Sequence, residues 1–304
     1  MKTTRILTAI PLALALLVTP CATPCTPIAA AAEAAPDVDT GWYWLSSNAK
    51  YSNFFDPSSV KATGLIETAH GKVATEIEAY IKTGYSYGGA QETITAYGIK
   101  DVIPNPAQLA YSVALVKVNP QNRTFQYIKE DLYNAQNQVL WARAEGDGKE
   151  KEINSESFDE KFYTNIVDCV FGQGETARAE AEDRWLDLYT SEIDGLTTTA
   201  IADTSTMRMK GDNLFFWEWD TVKDAAGNTL EIKFLKKAVN LPNGTEAIVS
   251  AEYWSGQTGW QTLEDDLDGA YRYIKAGTPQ AQGVRVLRNY AHTHEKWVNR
   301  YSIN

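Results

Sequence analysis

The sequence predicts an α+β protein made of two tandem antiparallel sheet-plus-helix domains related by a divergent duplication. Three observations carry that expectation. Hydrophobic period two dominates most of the chain; the period changes to helical at two places; and both halves run through the same order of signals. Asp56-x-Ser58-Ser59-x-Lys61-x-x-Gly64 lines up with Asp203-x-Ser205-Thr206-x-Arg208-x-x-Gly211. Val118-Asn119 lines up with Val239-Asn240, and Trp141 with Trp260.

The first 32 residues read as a secretory signal peptide. Lys2 and Arg5 give a positive start, an apolar run spans Ile6 to Val18, and small residues follow up to a cleavage point near Ala32. That run is shorter than the roughly 20 residues a membrane-spanning helix needs, which argues against a retained anchor. Cys21 and Cys25 raise lipidation as an alternative, but Pro20 and Pro24 stand where a lipoprotein signal wants a small residue. Cleavage would leave Cys169 alone, so no internal disulfide is expected. It would also leave 26 basic residues against 39 acidic, a charge of about −13. Such a surface repels phosphate backbones, so nucleic acid is disfavoured as a partner. The expected location is therefore exported: periplasm, cell surface or medium.

Residues 33–41 form an acidic leader, and the first domain is expected over 42–172. Its first strand signal is Trp42-Tyr43-Trp44. From Val73 to Thr83 the alternation is plain, with Ile77, Ala79 and Ile81 on one face. Tyr111 to Val118 reads as a central strand, and Thr124 to Tyr133 as its hairpin partner. Ser157-x-x-Glu160 then matches a capping box, and Phe158, Phe162, Ile166 and Cys169 make a helical stripe ending at Gly172. Residues 173–184 read as a linker or solvated helix. The second domain is expected over 185–304, with strands Leu214 to Val222, Leu230 to Val239 and Ala247 to Trp254. Thr262-x-x-Asp265 is read as the cap of a helix carrying Leu263, Leu267, Ala270 or Tyr271, and Ile274, and stopped by Gly277 and Pro279.

No chemical motif assembles a catalytic constellation. Ser58-x-x-Lys61 and Lys82-Thr83-Gly84 match two signatures of penicillin-binding enzymes, but the third element is missing and the spacing leaves no room for the intervening domain. His292-x-His294 supplies two of the three or four ligands zinc needs. Cys169 sits on an apolar stripe without a neighbouring base. Glu264-Asp265-Asp266-x-Asp268 reads as a solvated acidic run. No cofactor, no metal and no enzymatic activity are expected. What stands out is nine Trp and sixteen Tyr. Strand faces use most aromatics for packing, and the remainder suit protein or glycan ligands. The segment from Gly84 to Pro106 is read as a long glycine-flanked loop, with Tyr85, Tyr87 and Tyr97 as candidate binding residues.

The first half resembles the surface-adhesin protein E family. Trp44, Tyr51, Phe55-Asp56, Ser59 and Lys61 carry that resemblance, followed by Asn122-Arg123-Thr124-Phe125, Tyr127 and Tyr163-Thr164-Asn165-Ile166-Val167-Asp168-Cys169. It covers roughly residues 42–171. In such relatives the closing Cys often pairs with one just before the Asn-Arg-Thr turn; here Asn119-Pro120 takes that place and the bridge is absent. The resemblance implies a sheet with a packed helix, displayed at the cell envelope and sticking to host or matrix proteins. No binding residue of the family maps onto this chain. The resulting expectation is an envelope-associated binding or adhesin-like protein, with a structural or assembly factor lacking an external ligand as the alternative. Oligomeric state is not legible.

Overall fold

The computed structural model describes residues 41–68, 71–143, 148–262 and 267–302. The segment read as a signal peptide and most of the acidic leader lie outside the described residues.

Two antiparallel sheets follow one another along the chain. The first comprises β1 (Tyr43–Ser47), β2 (Tyr51–Phe55), β3 (Lys61–Thr68), β4 (Gly71–Tyr85), β5 (Tyr111–Asn119), β6 (Thr124–Tyr133), β7 (Val139–Arg143) and β8 (Lys151–Glu152). Its main path is β1-β2-β4-β5-β6-β7, with β3 continuing β2 along β4 and β8 pairing with β6. Between β4 and β5 lies α1 (Tyr87–Ala96), and after the sheet come α2 (Glu160–Phe171) and α3 (Glu175–Ala179). The second sheet comprises β9 (Trp185–Ile193), β10 (Leu196–Lys210), β11 (Asn213–Lys223), β12 (Thr229–Asn240), β13 (Thr245–Ser255), β14 (Gly259–Thr262) and β15 (Arg272–Tyr273). Its path is β9-β10-β11-β12-β13-β14, with β15 on β13, and α4 (Pro279–Thr293) and α5 (Glu295–Val298) close the chain.

The two sheets repeat each other strand for strand. β10 corresponds to β2 plus β3, α4 to α2, and the short strands β8 and β15 both pair with the start of the fifth strand of their sheet, at Thr124 and Thr245. The bulge between Leu115 and Val116 recurs between Lys236 and Lys237. The Asp-x-Ser-Ser/Thr motif folds alike in both. Asp56 accepts the amide and hydroxyl of Ser58 at 2.9 and 2.6 Å, and Asp203 those of Ser205 at 2.9 and 2.7 Å. Ser59 Oγ and Thr206 Oγ1 each donate to the aspartate's carbonyl and each accept the amide of the next strand, from Tyr80 and Trp217. Asn119 and Asn240 each brace the following turn through their side-chain oxygen. Both turns need a left-handed residue. Gly244 supplies it at φ 65°, whereas the first unit puts Arg123 there at φ 55°, a conformation that costs a side-chain-bearing residue.

The cores follow the alternation. Ile77, Ala79 and Ile81 are buried, as the period predicts, and pack with Val116, Val118 and Phe125 against Phe162, Ile166 and Val167 of α2. Leu214, Phe216 and Val239 meet Val284 and Leu287 of α4 in the same way. Tyr301, far along the second half, inserts into the first core.

Three local expectations are corrected. The capping box at Ser157 does not form: Asp159 occupies the N-cap without a side-chain bond, and Glu160 turns inward into an ionic network. The left-handed Gly172 does end the helix, as expected. The second predicted helix is displaced. Residues 263–266 lie outside the described residues, residues 272–273 are strand, and the helix begins at Pro279, the residue read as its stop. Proline serves at the first helical turn because its missing N–H would be unpaired there, and Thr278 caps it by accepting the Ala281 amide. The 84–106 segment is not an irregular loop; it contains α1, with Ser86 as its N-cap.

Candidate functional site

The feature that distinguishes the first unit from the second is the connection between the third and fourth long strands. In the second unit, residues 224–228 make that link as a tight turn in which Asp224 accepts the Ala226 and Asn228 amides. In the first, residues 86–110 build a subdomain. Ala90 and Ile94 of α1 join Ile99, Ile103 and Leu109 over Leu132, forming a second, separate core. Gly89 allows α1 to approach β2 so closely that a Cβ there would lie 2.3 Å from the Lys50 carbonyl oxygen.

A polar seam separates this core from the one under α2. Asn53, Thr83 and Ser112 stand side by side across β2, β4 and β5, all buried, and Asn53 Oδ1 has no hydrogen-bond partner among the described residues. Tyr85 donates its hydroxyl to Ser112 at 2.9 Å. Tyr97 donates to Glu130 at 3.0 Å, and Arg143 lies 3.4 Å from the same carboxylate. Burial raises the Glu130 carboxyl pKa despite those two partners. The same desolvation pushes the Tyr85 and Tyr97 hydroxyls well above the ordinary phenol range. Farther along, Tyr127 donates to Asp159 at 2.8 Å, and Lys151 pairs with that aspartate at the surface.

The structure therefore brings Tyr85 and Tyr97 to one seam and commits both hydroxyls inward. Tyr87, in the first turn of α1, stays 61% exposed. From Tyr85 a row of edge-packed rings runs outward through Tyr51, at 6.1 Å, to Phe158, at 5.2 Å, which is 43% exposed. Tyr51 and Lys50 both bond Glu92 of α1, tying the row to the insertion. Sequence reasoning missed Glu130, Arg143 and Phe158's outward face. The bulge in the β5–β6 pairing shifts the register before Glu130, so simple alternation does not place it inside.

The motifs set aside in the sequence have local roles. Ser58 and Ser59 spend their hydroxyls on the Asp56 turn, and Lys82 lies in β4 over the Tyr111 ring. His292 lies in the last turn of α4 and His294 caps it, so the pair is on a helix end and not on a strand. Cys169 is half-buried beside the first core. Among the described residues no group of three or more His, Cys, Asp or Glu side chains is placed to hold a metal ion. No helix among them is long and apolar enough to cross a membrane.

The two units are joined through a buried ionic network centred on the second unit's Asp-x-Ser-Thr bulge. Arg184 pairs with Asp203 at 2.6 Å and with Glu160 of α2 at 2.8 Å, and Arg123 pairs with the same Glu160. This bond, with one from Arg123 Nε to the Ile153 carbonyl, holds the left-handed arginine in place. Glu175, in the segment read as linker or solvated helix, is fully buried. It takes Arg300 at 2.5 Å and the Tyr301 hydroxyl at 2.7 Å, with Arg208 at 3.5 Å. Burial alone would raise its pKa, but the Arg300, Arg208 and Arg123 guanidiniums hold it at about 2. Arg208 also donates to the Pro120 carbonyl and the Tyr163 hydroxyl of the first unit. Networks of this kind add little net stability, since desolvation offsets the attraction, and a packing that separated these groups would strand buried charges.

Fold and site together define a two-unit repeat of one sheet-plus-helix design, fastened at a buried ionic junction and elaborated on one unit. No protein-family model matches the chain, and no curated protein matches it in sequence.

Proposed function

We propose that the chain is an exported, envelope-associated protein that works by binding, and that the α1 insertion of its first unit carries the binding face. The observation behind this reading is the asymmetry of the repeat. One scaffold occurs twice, and a 25-residue elaboration carrying one exposed ring, Tyr87, is added to one copy where the other has a short turn. Function on repeated scaffolds concentrates in such added connections. Tyr87 and Phe158 are the outward contacts, while Tyr85 and Tyr97 hold the insertion in place. Aromatic rings of this kind suit a protein or glycan ligand, and the resemblance to surface adhesins points the same way. An acidic surface argues against nucleic acid. The alternative of an envelope assembly factor without an external ligand draws on the junction, which fixes the two units as a rigid pair.

The test compares wild-type protein with a Tyr87→Ala/Phe158→Ala variant on immobilised matrix proteins and on a glycan array. Tyr87 is 61% exposed and Phe158 43%, the latter packed by its edge on Tyr51 and Phe162, so the melting temperature should fall only slightly while binding falls about tenfold or more. Equal binding by both proteins, or no binding by either, overturns the reading.

A further inference from the structure

A concave feature lies at the junction, away from the α1 insertion. A cleft of about 370 Å³ opens between the 121–122 turn of the first unit, the end of β10 and the chain after α5. Its walls are of two kinds. Met209, Val298 and Tyr301 give an apolar side, and Arg208 and Lys210 a cationic one. Arg208 is 4% exposed; it donates three hydrogen bonds, to two carbonyls and the Tyr163 hydroxyl, and lies 3.5 Å from the Glu175 carboxylate, which leaves part of its five-donor fork for a further acceptor. Lys210 donates only to a neutral acceptor, Asn122 Oδ1 at 2.7 Å; among the described residues no carboxylate pairs with it.

Charge at this place runs against the rest of the molecule. The junction's four arginines face three carboxylates. Lys210 and Lys236 add two cations, and Glu152, which pairs with Lys236, adds one carboxylate. Two positive charges are left over in a chain of net charge −11. Partial burial lowers the Lys210 ammonium pKa, and the neighbouring Lys236 and Arg208 cations act the same way against an opposing pull from Glu152; a bound anion would relieve this penalty.

We infer that this cleft binds a small organic anion, with its carboxylate on Lys210 and Arg208 and its apolar part against Met209, Val298 and Tyr301. The volume fits a molecule of modest size, and ligand sites favour interfaces between structural units. An inorganic ion would leave the apolar wall without a partner. A neutral ligand would leave the Lys210 ammonium without a carboxylate partner.

Hexanoate is a suitable probe, with hexanamide as its uncharged counterpart, titrated calorimetrically into the full-length protein. Hexanoate should bind saturably, and hexanamide about tenfold more weakly or less. Lys210→Met should weaken hexanoate by a similar factor with an unchanged melting curve, because Lys210 sits at the exposed rim. With carbon-13 label on methionine methyls, the Met209 signal should shift with hexanoate in the wild type. The inference is overturned by absence of hexanoate binding, by equal affinity for the amide, by an unaffected Lys210→Met variant, or by a Met209 signal that stays in place at saturation.

Discussion

The repeated Asp-x-Ser-Ser/Thr bulge provides its own control for the energetics of the junction. Asp56→Ala and Asp203→Ala remove the same local turn, since each carboxylate accepts the amide and hydroxyl two residues on. Losing such a side-chain cap costs about 1 kcal/mol. Asp203 carries a further duty that Asp56 lacks: it is fully buried and pairs with Arg184, itself only 7% exposed. Removing one member of a buried pair costs about 3–5 kcal/mol because the other charge is stranded. Arg184 keeps Glu160, so the lower end applies, giving about 4 kcal/mol in all for Asp203→Ala. At roughly 2–4 °C per kcal/mol for a chain of this size, Asp56→Ala should lower Tm by about 3 °C and Asp203→Ala by about 8–16 °C. Circular-dichroism melts at pH 7 read both. A second variant, Asp203→Ala/Arg184→Met, removes the stranded charge and should recover part of the loss. The pH dependence has a definite sign. Burial tends to raise the Asp203 pKa, but the Arg184 contact lowers it below the ordinary value. Its contribution is therefore full above the unfolded value of about 3.9 and is lost as pH falls through the folded one. Equal melting of the two single variants would refute the claim that the second bulge, and not the first, is the junction's anchor.

Two further outcomes follow from buried groups and close approaches. Glu218 lies buried beside Asp220 and pairs with Lys237 at 2.6 Å; burial raises its carboxyl pKa above the ordinary range, and the adjacent Asp220 adds to the rise. The folded state thus holds a proton that the unfolded state releases, so stability should decline as pH rises from about 4.5 toward neutrality, and Glu218→Gln should flatten that decline in denaturant titrations. In α1, Gly88→Ala meets only the Ser86 hydroxyl oxygen at 3.9 Å and should stabilise by about 0.5–1 kcal/mol, whereas Gly89→Ala drives a methyl into the Lys50 carbonyl and should destabilise by about 1–3 kcal/mol. Thermal melts of the two variants should therefore move in opposite directions.

How much of this was legible depended on whether a signal was local. Ile77, Ala79 and Ile81 announced β4 because alternation is written in adjacent residues. Gly172 announced a helix end because a left-handed cap needs a glycine. Helix α4 was misplaced because proline is ambiguous in sequence, closing one helix and opening another. Helix α1 was missed because two glycines follow its cap, and glycine reads as loop until Lys50, far away in sequence, explains the need for one of them. Glu160 was read as a capping-box partner because its true partners, Arg123 and Arg184, lie 37 and 24 residues away.

The sequence by itself determined the sheet-plus-helix class and its repetition, since strand period, turn chemistry and the twin Asp-x-Ser motifs all act over a few residues. Only the tertiary structure decided which copy of the motif became the junction, which tyrosines turned inward and where the excess positive charge gathered. Those outcomes rest on desolvation and pairing between groups as much as 126 residues apart, such as Glu175 and Tyr301, and no local pattern encodes a partner at that distance.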